Sequence, residues 1–175
     1  MKKKMGIWQF FGFAVTVFLG TLLHFLFDKT GWLWTTPISA VNESTAEHMK
    51  LFFFPAFLFA VVEALVWGKE KDGFWSIKLR GILLGLFLIP ALFYTYNGAV
   101  GKSPDWLNVF IFFLSAALAF LYETRLLKNE DVRYRGNTLA LLLLCILGAL
   151  FVLFTYVPPK IPLFMDPNLG TYGIT

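Results

Sequence analysis

Thr138-Leu-Ala-Leu-Leu-Leu-Leu-Cys-Ile-Leu-Gly-Ala-Leu-Phe-Val-Leu-Phe-Thr-Tyr-Val157 carries no charged side chain. An α-helix needs ~20 such residues to cross the hydrocarbon core of a bilayer, so this stretch reads as a membrane span rather than a buried core helix. Working outward from it, four comparable stretches run over residues 7–27, 49–67, 79–100 and 106–123. The whole chain shares this character. It is 58% hydrophobic, 19% aromatic with 21 Phe, and 15% charged over 175 residues, with a mean hydropathy of +0.68. The expected fold is an all-α, polytopic bundle of five transmembrane helices in a single integral membrane domain, 1–175, with an external tail over 158–175. The connections are short, and no internal repeat or long polar segment suggests a second domain.

The basic residues orient this bundle. Lys2, Lys3 and Lys4, then Lys69, Lys71, Lys78 and Arg80, then Arg125, Lys128, Arg133 and Arg135 fall on one side, leaving only Lys29, Lys50, Lys102 and Lys160 for the other. Lysine and arginine are retained on the cytoplasmic side, which predicts the amino terminus inside and the carboxyl terminus outside. The tryptophans agree: Trp8, Trp67 and Trp75 mark the inner interface, and Trp32, Trp34 and Trp106 the outer one. The net charge of +4 then reflects inner-side retention and contact with anionic lipid, so membrane lipids are the expected partners and nucleic acid is not. The first apolar run is too long for a signal-peptide core and lacks a small-residue cleavage site, so it reads as an uncleaved helix. Cys145 is the only cysteine. It can form no internal disulfide and is expected to fill the core.

Packing faces follow from small residues. Gly12, Thr16, Gly20, His24 and Asp28 recur every four positions on the first helix, a ridge that admits a close neighbour and ends in two ionisable groups. Gly81 with Gly85, and Ser115 with Ala119, form similar pairs on the third and fourth helices. Pro55 and Pro90 lie inside apolar runs, where each frees a backbone carbonyl and predicts a bend.

Chemistry concentrates in Asn42-Glu43-Ser44-Thr45-Ala46-Glu47-His48, between the first two spans. His24, the chain's other histidine, lies near the matching end of the preceding span. Two imidazoles with one or two of Glu43, Glu47 and Asp28 would make a nitrogen–oxygen site suited to a divalent metal such as zinc, iron or manganese. A position left open to water would suit hydrolysis, with Glu43 or Glu47 as the catalytic carboxylate. A structural account competes with this one. Ser44-x-x-Glu47 fits a helix capping box, and the remaining polar groups could form a hydrogen-bonded network. Asn42, Tyr94, Tyr96 and Asn97 are candidates to hydrogen-bond an amphiphilic ligand or the loop. Glu63 and Glu123 are expected at the inner interface, near Arg80, Arg125 and Tyr122. The polar residues between Glu63 and His48 are too few for an evident ion path, so transport ranks below an outward-facing site, catalytic or merely structural. The proline-rich, apolar tail from Pro158 is expected to fold back over the outer face.

Val41-Asn42-Glu43-Ser44, Glu47-His48 and Lys50, with Pro162-Leu163-Phe164, Asp166-Pro167, Gly170 and Tyr172-Gly173-Ile174, resemble an uncharacterised family of small bacterial multi-pass membrane proteins. The resemblance implies five helices and a bacterial plasma membrane, and brings no reaction with it. Asn42-Glu43-Ser44 followed by His48 is also similar to the first helix of the progestin and adiponectin receptor superfamily of membrane metal-site proteins. The histidine spacing is shorter here, and no later histidine pair completes such a site.

Overall fold

A computed structural model describes residues 2–68, 71–129 and 136–174. Of the basic residues used above for orientation, Lys69, Arg133 and Arg135 lie outside the described residues, as does Thr175 of the tail. Five helices account for most of the chain: α1 (Lys2–Thr30), α2 (Thr45–Val66), α3 (Phe74–Val100), α4 (Asp105–Lys128) and α5 (Asn137–Tyr156). Each is long and apolar enough to cross a membrane. No strand occurs among the described residues, where pairing is limited to one isolated bridge between Met165 and Tyr172.

Four of the helices exceed the predicted spans, and the extensions matter. α3 begins at Phe74 rather than at residue 79, which brings Lys78 into the helix. Pro55 and Pro90 sit within α2 and α3, which continue through them. Gly73, at a φ of 69°, starts α3 in the left-handed region that favours glycine.

α1 packs on α2 and α4, and α3 packs on α2, α4 and α5. The expected small-residue ridge makes these approaches possible. A Cβ at Gly12 would sit 2.5 Å from the Phe59 ring, and one at Gly20 would sit 2.8 Å from Phe112 and 2.9 Å from the Leu51 carbonyl. Gly85 is likewise filled by the Phe52 ring. Phe52, Phe53, Ile82, Leu86, Ala116 and Phe120 form the centre of the core. Outward, the bundle presents Phe10, Phe18, Leu58, Phe87, Leu121 and Leu142, the apolar surface expected of helices solvated by lipid tails. Cys145 lies on that surface and does not fill the core as expected. Among the helices, α5 packs mainly on α2 and α3, which leaves much of its circumference outside.

The two ends of the bundle are closed by different polar groups. At one end α1 contributes Gln9, α2 Glu63, α3 Lys78 and α4 Glu123, and all four are buried. The Lys78 ammonium donates to Glu123 Oε2 at 2.6 Å and to Gln9 Oε1 at 3.3 Å, and is ion-paired with Glu63. Gln9 Nε2 donates to Glu63 Oε1 at 2.6 Å. This corrects the interfacial reading of both acids. Arg80 and Arg125 are exposed, whereas Lys78, counted above among the connecting-loop cations, is 1% exposed and holds both carboxylates. The physical reason is that a carboxylate inside a bundle is tolerated only when a cation and hydrogen-bond donors meet it there.

Candidate metal centre

The opposite end is built by the α1–α2 connection and the tail. Ser44 is the N-cap of α2, and its hydroxyl accepts from the Glu47 amide at 3.4 Å. The return half of the expected capping box is absent: Glu47 Oε2 accepts from the Val41 amide at 3.1 Å, while Asn42 Oδ1 accepts from the Ser44 amide at 2.9 Å. Glu47 is drawn away because Lys50, one turn on, lies 2.5 Å from its Oε2. The Lys50 ammonium also donates to the Thr36 carbonyl and to Thr155 Oγ1, each at 2.9 Å. Glu47 and Lys50 therefore form a buried, balanced pair that pins the loop and α5 to α2.

Glu43 projects where Glu47 does not. His24 Nε2 and His48 Nε2 lie 3.9 Å and 3.6 Å from Glu43 Oε2. The imidazole centroids are 5.2 Å apart at an interplanar angle of 68°, so the rings meet edge to face. One ligand-type atom from each of His24, Glu43 and His48 falls within 4.8 Å of the other two. The surroundings orient the donors. His48 Nδ1 is 2.9 Å from the Ser44 carbonyl, which as acceptor calls for a proton on Nδ1 and leaves the Nε2 lone pair directed at Glu43. His24 Nδ1 is buried with no hydrogen-bond partner. The Glu43 side chain is 48% exposed, which leaves the group accessible from outside the bundle.

The tail fixes this loop. Asp166 Oδ2 accepts from the Glu43 amide at 3.1 Å, and the Asn42 side-chain amide donates to the Gly173 carbonyl at 2.7 Å. Asp166 itself is held by the amides of Asn168 and Leu169, at 2.7 Å and 3.2 Å. Its role was not apparent from the sequence, where it is one acid in a proline-rich tail without periodicity.

The other candidates lie around this group. Asp28 is exposed and sits 3.8 Å from Lys29. Tyr94 accepts from Thr45 Oγ1 at 3.3 Å, and Tyr96 is half-buried near the same end of α3. Asn97 binds its own connection: its Nδ2 donates to the Phe93 carbonyl at 2.8 Å, and its Oδ1 accepts from the Ser103 amide at 2.8 Å. The three residues that converge are His24, Glu43 and His48.

The described residues thus define the class: a small all-α bundle of five helices, each long and apolar enough to cross a membrane, with a half-open histidine–carboxylate cluster at one end. The chain belongs to the family of unknown function DUF6512, whose model matches residues 1–174. No curated protein and no solved structure matches it.

Proposed function

We propose that this protein is a multi-pass component of a bacterial plasma membrane whose His24–Glu43–His48 cluster binds a divalent metal at the outer surface. Zinc, iron and manganese suit two imidazoles and a carboxylate. In the proposed orientation the amino terminus is cytoplasmic and the tail external, as the distribution of basic residues and tryptophans supports. The observation that carries the reading is the convergence of two Nε2 atoms on one accessible carboxylate oxygen, with His48 oriented by a backbone carbonyl. Ligand atoms about 2.0–2.1 Å from a tetrahedral ion are ~3.3 Å apart, so the present spacing needs only modest side-chain movement to close on a metal. Three protein ligands leave a fourth position for water, and the chemistry such a centre supplies is hydrolysis, here of an amphiphile reaching it from the membrane surface.

A second reading is favoured by a specific observation. The bonds from Asn42 to Gly173 and from Glu43 to Asp166 tie the loop to the tail, as a noncatalytic assembly element would. Metal titration of the purified, chelator-stripped protein separates the two. Under the metal reading the parent binds one equivalent, and His24→Ala, His48→Ala and Glu43→Gln each lose it while the helices remain folded. If the parent takes up no zinc, iron or manganese and the variants lose only thermal stability, the assembly reading stands. Orientation is checked in a Cys145→Ala background, where Lys102→Cys and Asn168→Cys should be labelled from outside intact cells and Asp72→Cys should be protected.

A further inference from the structure

The sealed end of the bundle carries unbalanced charge. One ammonium, Lys78, faces two carboxylates, Glu63 and Glu123, and all three side chains are at most 3% exposed. Lys78 donates to Glu123 and Gln9 and is ion-paired with Glu63. Fully ionised, the group would hold one net negative charge beside the Phe74 and Phe120 rings. Burying an uncompensated charge is so costly that such a site neutralises itself, and two carboxylates sharing one site do so by retaining a proton.

We propose that this cluster is a binding site for one proton, shared by the Glu63 and Glu123 carboxyls. The two acids face one ammonium between them. Glu63 accepts from Gln9 Nε2 at Oε1 and is ion-paired with Lys78 through Oε2, which has no hydrogen-bond partner of its own. Glu123 accepts from Lys78 at Oε2, and its Oε1 lies against Gly81, in space that a Cβ would fill. The charged groups facing Glu123 are Lys78 of α3 and, across it, Glu63 of α2. α1 adds the neutral Gln9, and α5 carries no acidic or basic residue. An alkali cation is a poorer occupant than a proton, because hard cations require several oxygen ligands and here the ammonium already takes one oxygen from each of Glu63, Glu123 and Gln9. The site is separate from the histidine cluster and does not depend on what that cluster binds.

Infrared difference spectroscopy of the full chain in lipid nanodiscs tests this. The parent at neutral pH should show the C=O stretch of one protonated carboxyl per chain, shifted in deuterium oxide and unchanged when sodium replaces potassium. Glu123→Gln should remove the band. Glu63→Gln should remove it too, because the remaining carboxylate then balances Lys78 without a proton. Lys78→Met should strengthen it, since both acids must then be neutral. A parent without the band at neutral pH, or with one that sodium abolishes, overturns the proposal on the unmodified protein, whether or not any variant folds. A band that persists in both Glu→Gln variants overturns it equally.

Discussion

The two polar ends of this bundle are built from similar chemistry and reach opposite states. At the Lys78 end, four different helices each send one side chain inward, and one buried ammonium holds both carboxylates and Gln9. At the histidine end, one helix, one helix start and one loop residue supply His24, His48 and Glu43, and the carboxylate stays half exposed with no cation beside it. The difference teaches that burial and function are separable here. A buried group gathered on a cation holds helices together, whereas one with an exposed carboxylate and access is where an external ligand can be taken up. The Glu47–Lys50 pair makes the same point at short range: by pairing with Lys50, Glu47 leaves Glu43 as the carboxylate beside the histidines.

The comparison breaks most visibly if the sealed end loses its cation. Lys78→Met should destabilise the bundle by about 3–5 kcal/mol, because it breaks the buried pairs and forces both acids to take up a proton in order to stay buried. Reversible unfolding in mixed micelles would measure this, and His24→Ala in parallel should cost far less, since that ring is partly exposed. Equal losses for the two variants would mean that the ends are not different in kind. Next comes the close approach of α3 to Glu123. Gly81→Val places a side chain where the Glu123 carboxyl lies, and overpacking of this sort costs about 1–3 kcal/mol. Gly98→Val, which meets no neighbour, is the matched control and should cost less. Unfolding midpoints of the two variants check the order.

At the open end the tail is the sharper probe. Asp166→Ala removes the acceptor of the Glu43 amide and the cap on Asn168 and Leu169. Under the metal reading, loss of such an outer support lowers metal affinity about 10–100-fold, with the helices intact by circular dichroism. Unchanged affinity in a metal-binding parent would show that the loop holds Glu43 without the tail.

How far these contrasts were legible in the sequence follows from the range of the interactions. Five apolar spans declare themselves by length, and the four-residue ridge on α1 pointed His24 toward a neighbour because small residues at that spacing share one face. Short connectivity then brought His48 to the same end. Lys78 was not legible. A lysine near a predicted span boundary reads as an interfacial cation, and only packing shows that α2 and α4 aim Glu63 and Glu123 at it. Lys50, by contrast, stands three residues after Glu47, so this pairing was open to a local reading. Asp166 escaped for a third reason: its partner amide lies 123 residues away, and no periodic pattern connects the two.

The smallest effect expected lies at the start of α2, and it asks whether the open end is held by its helix cap or by its long-range ties. Ser44 does two jobs with different atoms: its hydroxyl caps the Glu47 amide at 3.4 Å, and its carbonyl orients His48 Nδ1 at 2.9 Å. Ser44→Ala deletes the first and keeps the second. Loss of an N-cap costs about 0.5–2 kcal/mol, and the length of the hydrogen bond argues for the lower part of that range. The Glu47 carboxylate, bound to Lys50 and Val41, should keep its place, and the His24–Glu43–His48 geometry should survive with it. The expected outcome is therefore a split between two measurements: a modest fall in unfolding midpoint, with metal titration indistinguishable from the parent. If Ser44→Ala instead weakens metal uptake as much as Asp166→Ala does, the cap positions the ligands as well as the helix, and the separation between structural and ligand-binding atoms within this one residue fails.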